Sequence, residues 1–169
     1  MSFSASLPTR SGLDIIVRPA APADADALTA FFDRVSAEDR RFRFFSAIDH
    51  VRAEQIAPLV NADHWQSESF LAYAPGSDAI IASGLLACDK AMDTAEVAVS
   101  VDAAYKGKGV GWAMLDLLAR EAERRGVRRV IAIESRDNHA AIELEREKGF
   151  VPEPFDGDPT LVILAKTLR

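Results

Sequence analysis

Glu96-Val97-Ala98-Val99-Ser100-Val101, then Tyr105-Lys106-Gly107-Lys108-Gly109-Val110-Gly111, then the run onward to Arg125, is the stretch that organises the chain. The first six residues are apolar and β-branched enough to form a strand buried on at least one face. On such a strand Glu96, Ala98 and Ser100 share one side. From Val110 the period changes. Val110, Ala113, Met114, Leu117 and Leu118 recur at helical spacing and make an apolar stripe, and Gly126 is a natural stop. Between strand and helix sit three glycines at alternate positions, flanked by Lys106 and Lys108.

Alternating glycines ahead of a helix let the backbone approach a ligand closely and aim successive N–H groups at it. The helix N-terminus adds unpaired donors and partial positive charge, so Lys106-Gly107-Lys108-Gly109-Val110-Gly111 reads as an anion site suited to phosphate. A plain tight turn is the competing reading. A P-loop is excluded because Trp112 follows Gly111 where Lys-Ser/Thr would be required. The dinucleotide fingerprint fails as well: the third glycine comes one residue early. Glu134 falls about where a ribose-binding acid would sit, but no second βαβ half follows the turn.

The stretch resembles the acetyl-CoA signature of the GNAT superfamily of N-acetyltransferases, Gln/Arg-x-x-Gly-x-Gly/Ala. Lys106 stands where that family usually has Gln or Arg. A second match lies downstream in Glu134-Ser135-Arg136-Asp137-Asn138-His139-Ala140-Ala141-Ile142 and Lys148-Gly149-Phe150, similar to the family's strand–Asn–helix–Gly-Phe ending. The resemblance covers residues 14 to 168. It implies an α/β (α+β in some schemes) fold with a mixed, mostly antiparallel central sheet, helices on both faces and a splayed parallel strand pair. It implies acetyl-CoA as co-substrate and no metal.

The bulk properties agree with one soluble domain. At 169 residues the chain has room for a real core, and 49 % hydrophobic with 27 % charged residues is ordinary for a globular protein. We expect a polar, loose segment over residues 1–12 and a single domain over 13–169. The lone Cys88 excludes an internal disulfide framework, and no signal peptide or membrane-length apolar run is evident, which points to the cytoplasm. A net charge of −6 argues against nucleic acid as the main partner, and without an apolar run no membrane partner is expected. A polyanionic co-substrate must then be met by local positive charge.

In chain order we expect a strand at Leu13–Arg18, a helix at Ala21–Val35 opened by Pro22, and helical pieces at Ser36–Phe45 and His50–Val60. Strands follow at Ser69–Tyr73 and Ala79–Cys88 around the turn Pro75-Gly76-Ser77-Asp78. After the organising helix come a strand at Arg129–Ser135, a helix at Asn138–Lys148, a turn-rich Pro152–Pro159 and a last strand at Thr160–Lys166.

Acyl transfer of the kind the resemblance implies needs an amine to attack a thioester. An alkylamine with a pKa near 10.4 is neutral in only about one molecule in a few thousand at pH 7, so a general base helps. Glu96 is the candidate base, its carboxylate flanked by the small Ala98 and Ser100; a solvent-facing glutamate at a strand start is the plainer reading. By resemblance, the N–H near Val99 faces the thioester oxygen, Val101 pairs with pantetheine, Lys106 to Gly111 hold the pyrophosphate, and Asn138 contacts the pantetheine. Asn138 also suits a helix N-cap. Glu145 departs from the pattern: many members have tyrosine there as general acid, in a Leu-Tyr pair that here reads Leu144-Glu145. A carboxylate donates poorly at pH 7 unless strongly desolvated, which leaves the acid unassigned.

Ser36–Ser46, with Glu38-Asp39 and Arg43-Phe44-Phe45-Ser46, resembles the opening of GNAT domains in bacterial Pat-type protein lysine acetyltransferases. The competing reading is an amphipathic helix with core phenylalanines and solvated arginines. The acceptor is therefore an amine, either a protein lysine or a small molecule, and a non-catalytic acyl-CoA-binding module stands as the alternative of another class. The protein is expected as monomer or homodimer. His50, His64 and His139 lack ligand spacing, so no metal site is expected.

Overall fold

A computed structural model describes residues 4–168. Eight strands form one sheet: β1 (Ala5–Pro8), β2 (Asp14–Pro19), β3 (Ser67–Tyr73), β4 (Ile80–Cys88), β5 (Thr94–Val101), β6 (Arg129–Ser135), β7 (Val151–Pro154) and β8 (Leu161–Thr167). Their spatial order is β1-β2-β3-β4-β5-β6-β8-β7, antiparallel throughout except where β5 lies beside β6. Helices α1 (Ala25–Asp33), α2 (Ala37–Phe44), α3 (Ala53–Val60), α4 (Val110–Arg124) and α5 (His139–Glu147) complete the fold.

The two sheet faces carry separate cores. Leu28, Phe31 and Phe32 of α1 and Ile56, Leu59 and Val60 of α3 bury against Leu71 and Ile80 on one face. On the other, Met114, Leu115 and Leu118 of α4 pack with Leu86, Val97, Val130, Ala132 and Leu164, and Ile142 of α5 joins their edge. Gly84 on β4 permits the close approach of α4: a Cβ there would meet Met114 Cε at 3.0 Å and Leu118 Cδ1 at 3.4 Å. The helix stripe is wider than its spacing suggested. Leu115 and Ala122 are buried beside Val110, Ala113, Met114 and Leu118, whereas Leu117 is only half-buried.

Three expectations are corrected. Within the segment 1–12 expected to be loose, Ala5–Pro8 is an edge strand registered from Ala5↔Val17 to Pro8↔Asp14; residues 1–3 lie outside the described residues. The turn-rich Pro152–Pro159 overlaps β7, an outermost strand where prolines, lacking an N–H, are tolerated. The first helix is preceded by a separate 3-10 turn at Pro22–Asp24. The remaining elements fall within a few residues of their expected places.

Buried arginines fix the parts that carry the site. Arg40, on the supposedly solvated face of α2, is 8 % exposed and donates to the carbonyls of Phe32, Val35 and Ile48 at 3.0 Å each. It thereby pins α2 to the end of α1. Arg125, just past α4, has a fully buried side chain that donates to Trp65 O at 2.8 Å and to Glu121 Oε1 at 3.0 Å, and lies 3.9 Å from the buried Glu68 carboxylate. Removing one member of such a buried pair strands the other charge. Arg125→Ala should lower the urea unfolding free energy by about 3–5 kcal/mol. Arg124→Ala, which touches the same Glu121 from a largely exposed position, should cost less than about 1 kcal/mol. Equal losses would show that packing alone holds this end of α4.

Candidate active site

The sheet opens at one place. β5 and β6 pair at Thr94↔Arg129, Ala95↔Val130 and Glu96↔Ile131, and at no later position. Beyond Glu96, β5 stays with β4 as far as Val101↔Ala82, while β6 stays with β8 as far as Ser135↔Leu161. The strands therefore diverge, and a cavity of about 710 Å³ occupies the gap. Alternation assigns its two sides. Glu96, Ala98 and Ser100 face the side on which α2 packs against β5. Val97, Val130 and Ala132 belong to the α4 core, and Glu134 follows them on that side of β6.

The glycine turn closes one end. Gly107 and Gly109 have φ of +76° and +80°, and Gly109 is the N-cap of α4 with no side chain capping the helix. The first amides of α4 are thus left without a protein side-chain acceptor at the positive end of the helix. The β1–β2 connection braces this turn. Ser11 Oγ donates to Lys108 O at 2.6 Å, and a Cβ on Gly109 would stand 3.0 Å from Arg10 N. Arg10 stacks 3.7 Å from the centroid of Trp112, and Lys148 Nζ lies 3.9 Å from the same ring. Lys106 is held across the cavity mouth by Asp39 of α2 at 2.7 Å.

Carboxyls gather at the other end. Glu96 is exposed and sits at the last paired position of its strand. Arg43 of α2 also lines the cavity; burial lowers its guanidinium pKa, against the opposing charges of Glu96 and Glu134. Glu145 is 7 % exposed, and its Oε1 has no hydrogen-bond partner. Burial pushes the Glu145 carboxyl far up, and the neighbouring Glu134 carboxyl pushes it further. Glu134 is raised by burial and by Glu96, while Glu145 and Arg43 act to lower it. Burial thus raises both carboxyls, Glu145 the more strongly.

Every residue expected at the site lines this one cavity: Glu96, Val99, Val101, Lys106, Gly107, Lys108, Gly109, Val110, Gly111 and Asn138. Asn138 is at the same time the N-cap of α5, its Oδ1 3.4 Å from Ala141 N. Arg10, Arg43 and the pairing of Glu134 with Glu145 were not anticipated. Arg10 lies in a segment with no periodic signal, and the carboxyl pair joins residues of a strand and a helix that only the fold brings together. Among the described residues no cluster of three or more metal-ligating side chains occurs.

The fold and this site define a CoA-dependent acyltransferase class, and comparison with known proteins gives the family. Residues 33–150 match the family model for the acetyltransferase (GNAT) family, and the chain belongs to that family. It is similar to an acetyltransferase of Pseudomonas aeruginosa, at 27 % identity over 156 residues that cover 90 % of this chain and 83 % of that protein. The GNAT domain of Streptomyces lividans PAT superposes with a TM-score of 0.88 at 28 % identity, covering 98 % of this chain and 97 % of that one. The Salmonella typhimurium yncA protein, solved with its cofactor acetyl-CoA, shares the fold at a TM-score of 0.69 and 22 % identity, with 92 % and 94 % covered.

The buried proton has a consequence for stability. A carboxyl whose folded pKa is raised contributes stability below its unfolded pKa, near 4.3, and loses it as pH rises toward the folded value. Wild-type stability should therefore fall with pH above about 4.3 by up to about 1.4 kcal/mol per unit from this group. Glu145→Gln, neutral at every pH, should lack that slope and be the more stable protein at pH 8. Parallel stability–pH curves would show instead that Glu145 is ionised in the folded state.

Proposed function

We propose that this chain transfers the acetyl group of acetyl-CoA to a primary amine, with a protein lysine as acceptor and Glu96 as general base. The observation that carries the reading is the arrangement along the β5–β6 gap. An uncapped helix N-terminus with two left-handed glycines stands at one end, and a carboxylate at the apex. Five residue steps of β5 separate Glu96 from Val101, about 16 Å of extended chain. An elongated ligand with a charged head and a reactive tail suits that geometry.

The residues fit the diphosphate of CoA on their own chemistry. Gly107, Gly109 and the orphan amides of α4 supply backbone donors without Cβ obstruction, and Lys108 and Arg10 add positive charge to a chain that is acidic overall. The unpaired edge of β5 beyond Glu96 leaves backbone groups near Val99 and Val101 for the thioester oxygen and the pantetheine amides. Asn138 contributes a side-chain amide from the opposite wall. Bound there, the co-substrate supplies an activated acetyl carbonyl. Glu96, exposed on the α2 side, removes the ammonium proton directly or through water, so that a neutral amine attacks.

The similarity to the Streptomyces lividans PAT domain and the exposed Phe45 at the cavity rim, 49 % accessible, support a protein-borne acceptor. The carboxylates Glu96 and Glu134 on one cavity favour a second reading, a small cationic amine, with Arg43 opposing it. A cytoplasmic setting suits both readings.

CoA release from acetyl-CoA, measured against lysine peptides, polyamines, amino acids and aminoglycosides, tests the reading. Glu96→Gln should lower kcat by about 10²- to 10⁴-fold with the acetyl-CoA Kd nearly unchanged. Gly109→Ala, strained at its positive φ and pressed against Arg10 N, should weaken acetyl-CoA binding in calorimetry by about tenfold or more. Binding without turnover for any acceptor would favour a non-catalytic acyl-CoA module, and full activity of Glu96→Gln would remove the base assignment.

A further inference from the structure

We infer that Arg43 selects an acceptor with a carboxylate close to its amine, the guanidinium holding the carboxylate while Glu96 takes the ammonium. The carboxylate belongs either to an acidic side chain beside an acceptor lysine or to a free amino acid. This role rests on the acetyl-transfer reading above and adds the chemistry of its acceptor.

Place comes first. Four cationic side chains line the cavity: Arg10, Arg43, Lys106 and Lys108. Lys106 and Lys108 flank the glycine turn, and Arg10 is pressed against it. Arg43 stands elsewhere. Asp39 and Arg43 of α2 are four residues apart, share one helix face, and both line the cavity. Asp39 marks the turn end of α2, because it pairs with Lys106 at 2.7 Å. Arg43 lies one helical turn further on, about 6 Å along the axis. There the charges of Glu96 and Glu134 act on it. A diphosphate seated on the glycine turn therefore leaves Arg43 unused.

Side comes second. Glu96, Ala98 and Ser100 face α2, whereas the thioester occupies the gap between β5 and β6. An amine that reaches Glu96 from the α2 side passes Arg43. Phe45, the left-handed C-cap residue of α2, stands exposed on the rim of the same path.

The unspent donors of Arg43 come third. Arg40, three residues earlier, uses its guanidinium on the carbonyls of Phe32, Val35 and Ile48. Arg41 is exposed and lies over the Phe42 ring at 4.6 Å. Arg43 is partly buried, and its Cζ stands 5.0 Å from the centroid of Phe44. Among the described residues it has no hydrogen bond or ion pair with the protein. A planar fork of five donors matches a carboxylate at two points, and partial burial strengthens that attraction. Direct contact with Glu96 would satisfy the fork and occupy the base together. The fold holds the two apart, so they offer separate points for a carboxylate and an ammonium.

Matched acceptor pairs test this, with acetyl-CoA as donor and kcat/KM as readout. One pair is a lysine peptide with glutamate beside the lysine and the same peptide with glutamine there. The other is a free amino acid and its carboxamide. In one pair the wild-type protein should favour the carboxylate by about 10- to 100-fold, the range of a charge-assisted contact, and that pair identifies the source. Arg43→Met should bring the ratio close to unity with the acetyl-CoA Kd unchanged in calorimetry. Arg43→Lys, which keeps the charge without the fork, should retain part of the preference. Arg41→Met, an exposed control on the same helix, should retain all of it. A wild-type ratio near unity in both pairs would overturn the inference and leave the transfer reading standing. Equal losses for both members of each pair in Arg43→Met would do the same, since an oxyanion-stabilising or structural role gives that pattern. A preference for succinyl-CoA over acetyl-CoA that Arg43→Met abolishes would also overturn it, by placing the carboxylate on the acyl group. A wild-type protein that turns over no acceptor would overturn the transfer reading and this role with it.

Discussion

The ladder between β5 and β6 stops after Glu96 and Ile131, and the site depends on that break. Each strand keeps its other neighbour, β4 or β8, so the sheet parts without unravelling. The inner edges that lose their ladder partners are backbone donors and acceptors, which in a protein interior must be satisfied somehow. A cavity lined by the backbone edge of β5 on one wall and by residues of α4 and α5 on the other is the outcome. The small side chains of Ala98 and Ser100 leave room beside Glu96 at its apex.

Electrostatics divides the gap into two ends. The glycine turn, the N-terminus of α4, Lys108 and Arg10 make a local positive pole in a chain of net charge −6. Glu96 and Glu134 make the opposite pole, moderated by Arg43. Their environments push the carboxyls apart: Glu96 is open to water, whereas Glu145 is buried against another acid.

The strand–turn–helix from Glu96 to Arg125 was legible because its period changes from two to 3.6 at a glycine turn. Asn138 was legible as a cap because asparagine beside an amphipathic run has a local role. What escaped is non-local. β1 and β7 are four-residue outer strands with prolines, too short for a periodic signature. Arg40 reads as a surface residue until the carbonyls at the end of α1 are brought beneath it. Glu145 appeared only as a missing tyrosine. Its meaning depends on Glu134, eleven positions earlier, being set against it by the β6–α5 crossing.

The central claim is that the reacting thioester lies in the β5–β6 gap with its acyl carbon toward Glu96. A crystal structure with a non-hydrolysable thioether analogue of acetyl-CoA tests it most directly. The account predicts the diphosphate on residues 107–111, the arm along Val99 and Val101, and the acyl carbon toward Glu96. An acyl group lying outside the β5–β6 gap, or turned away from Glu96, would contradict it.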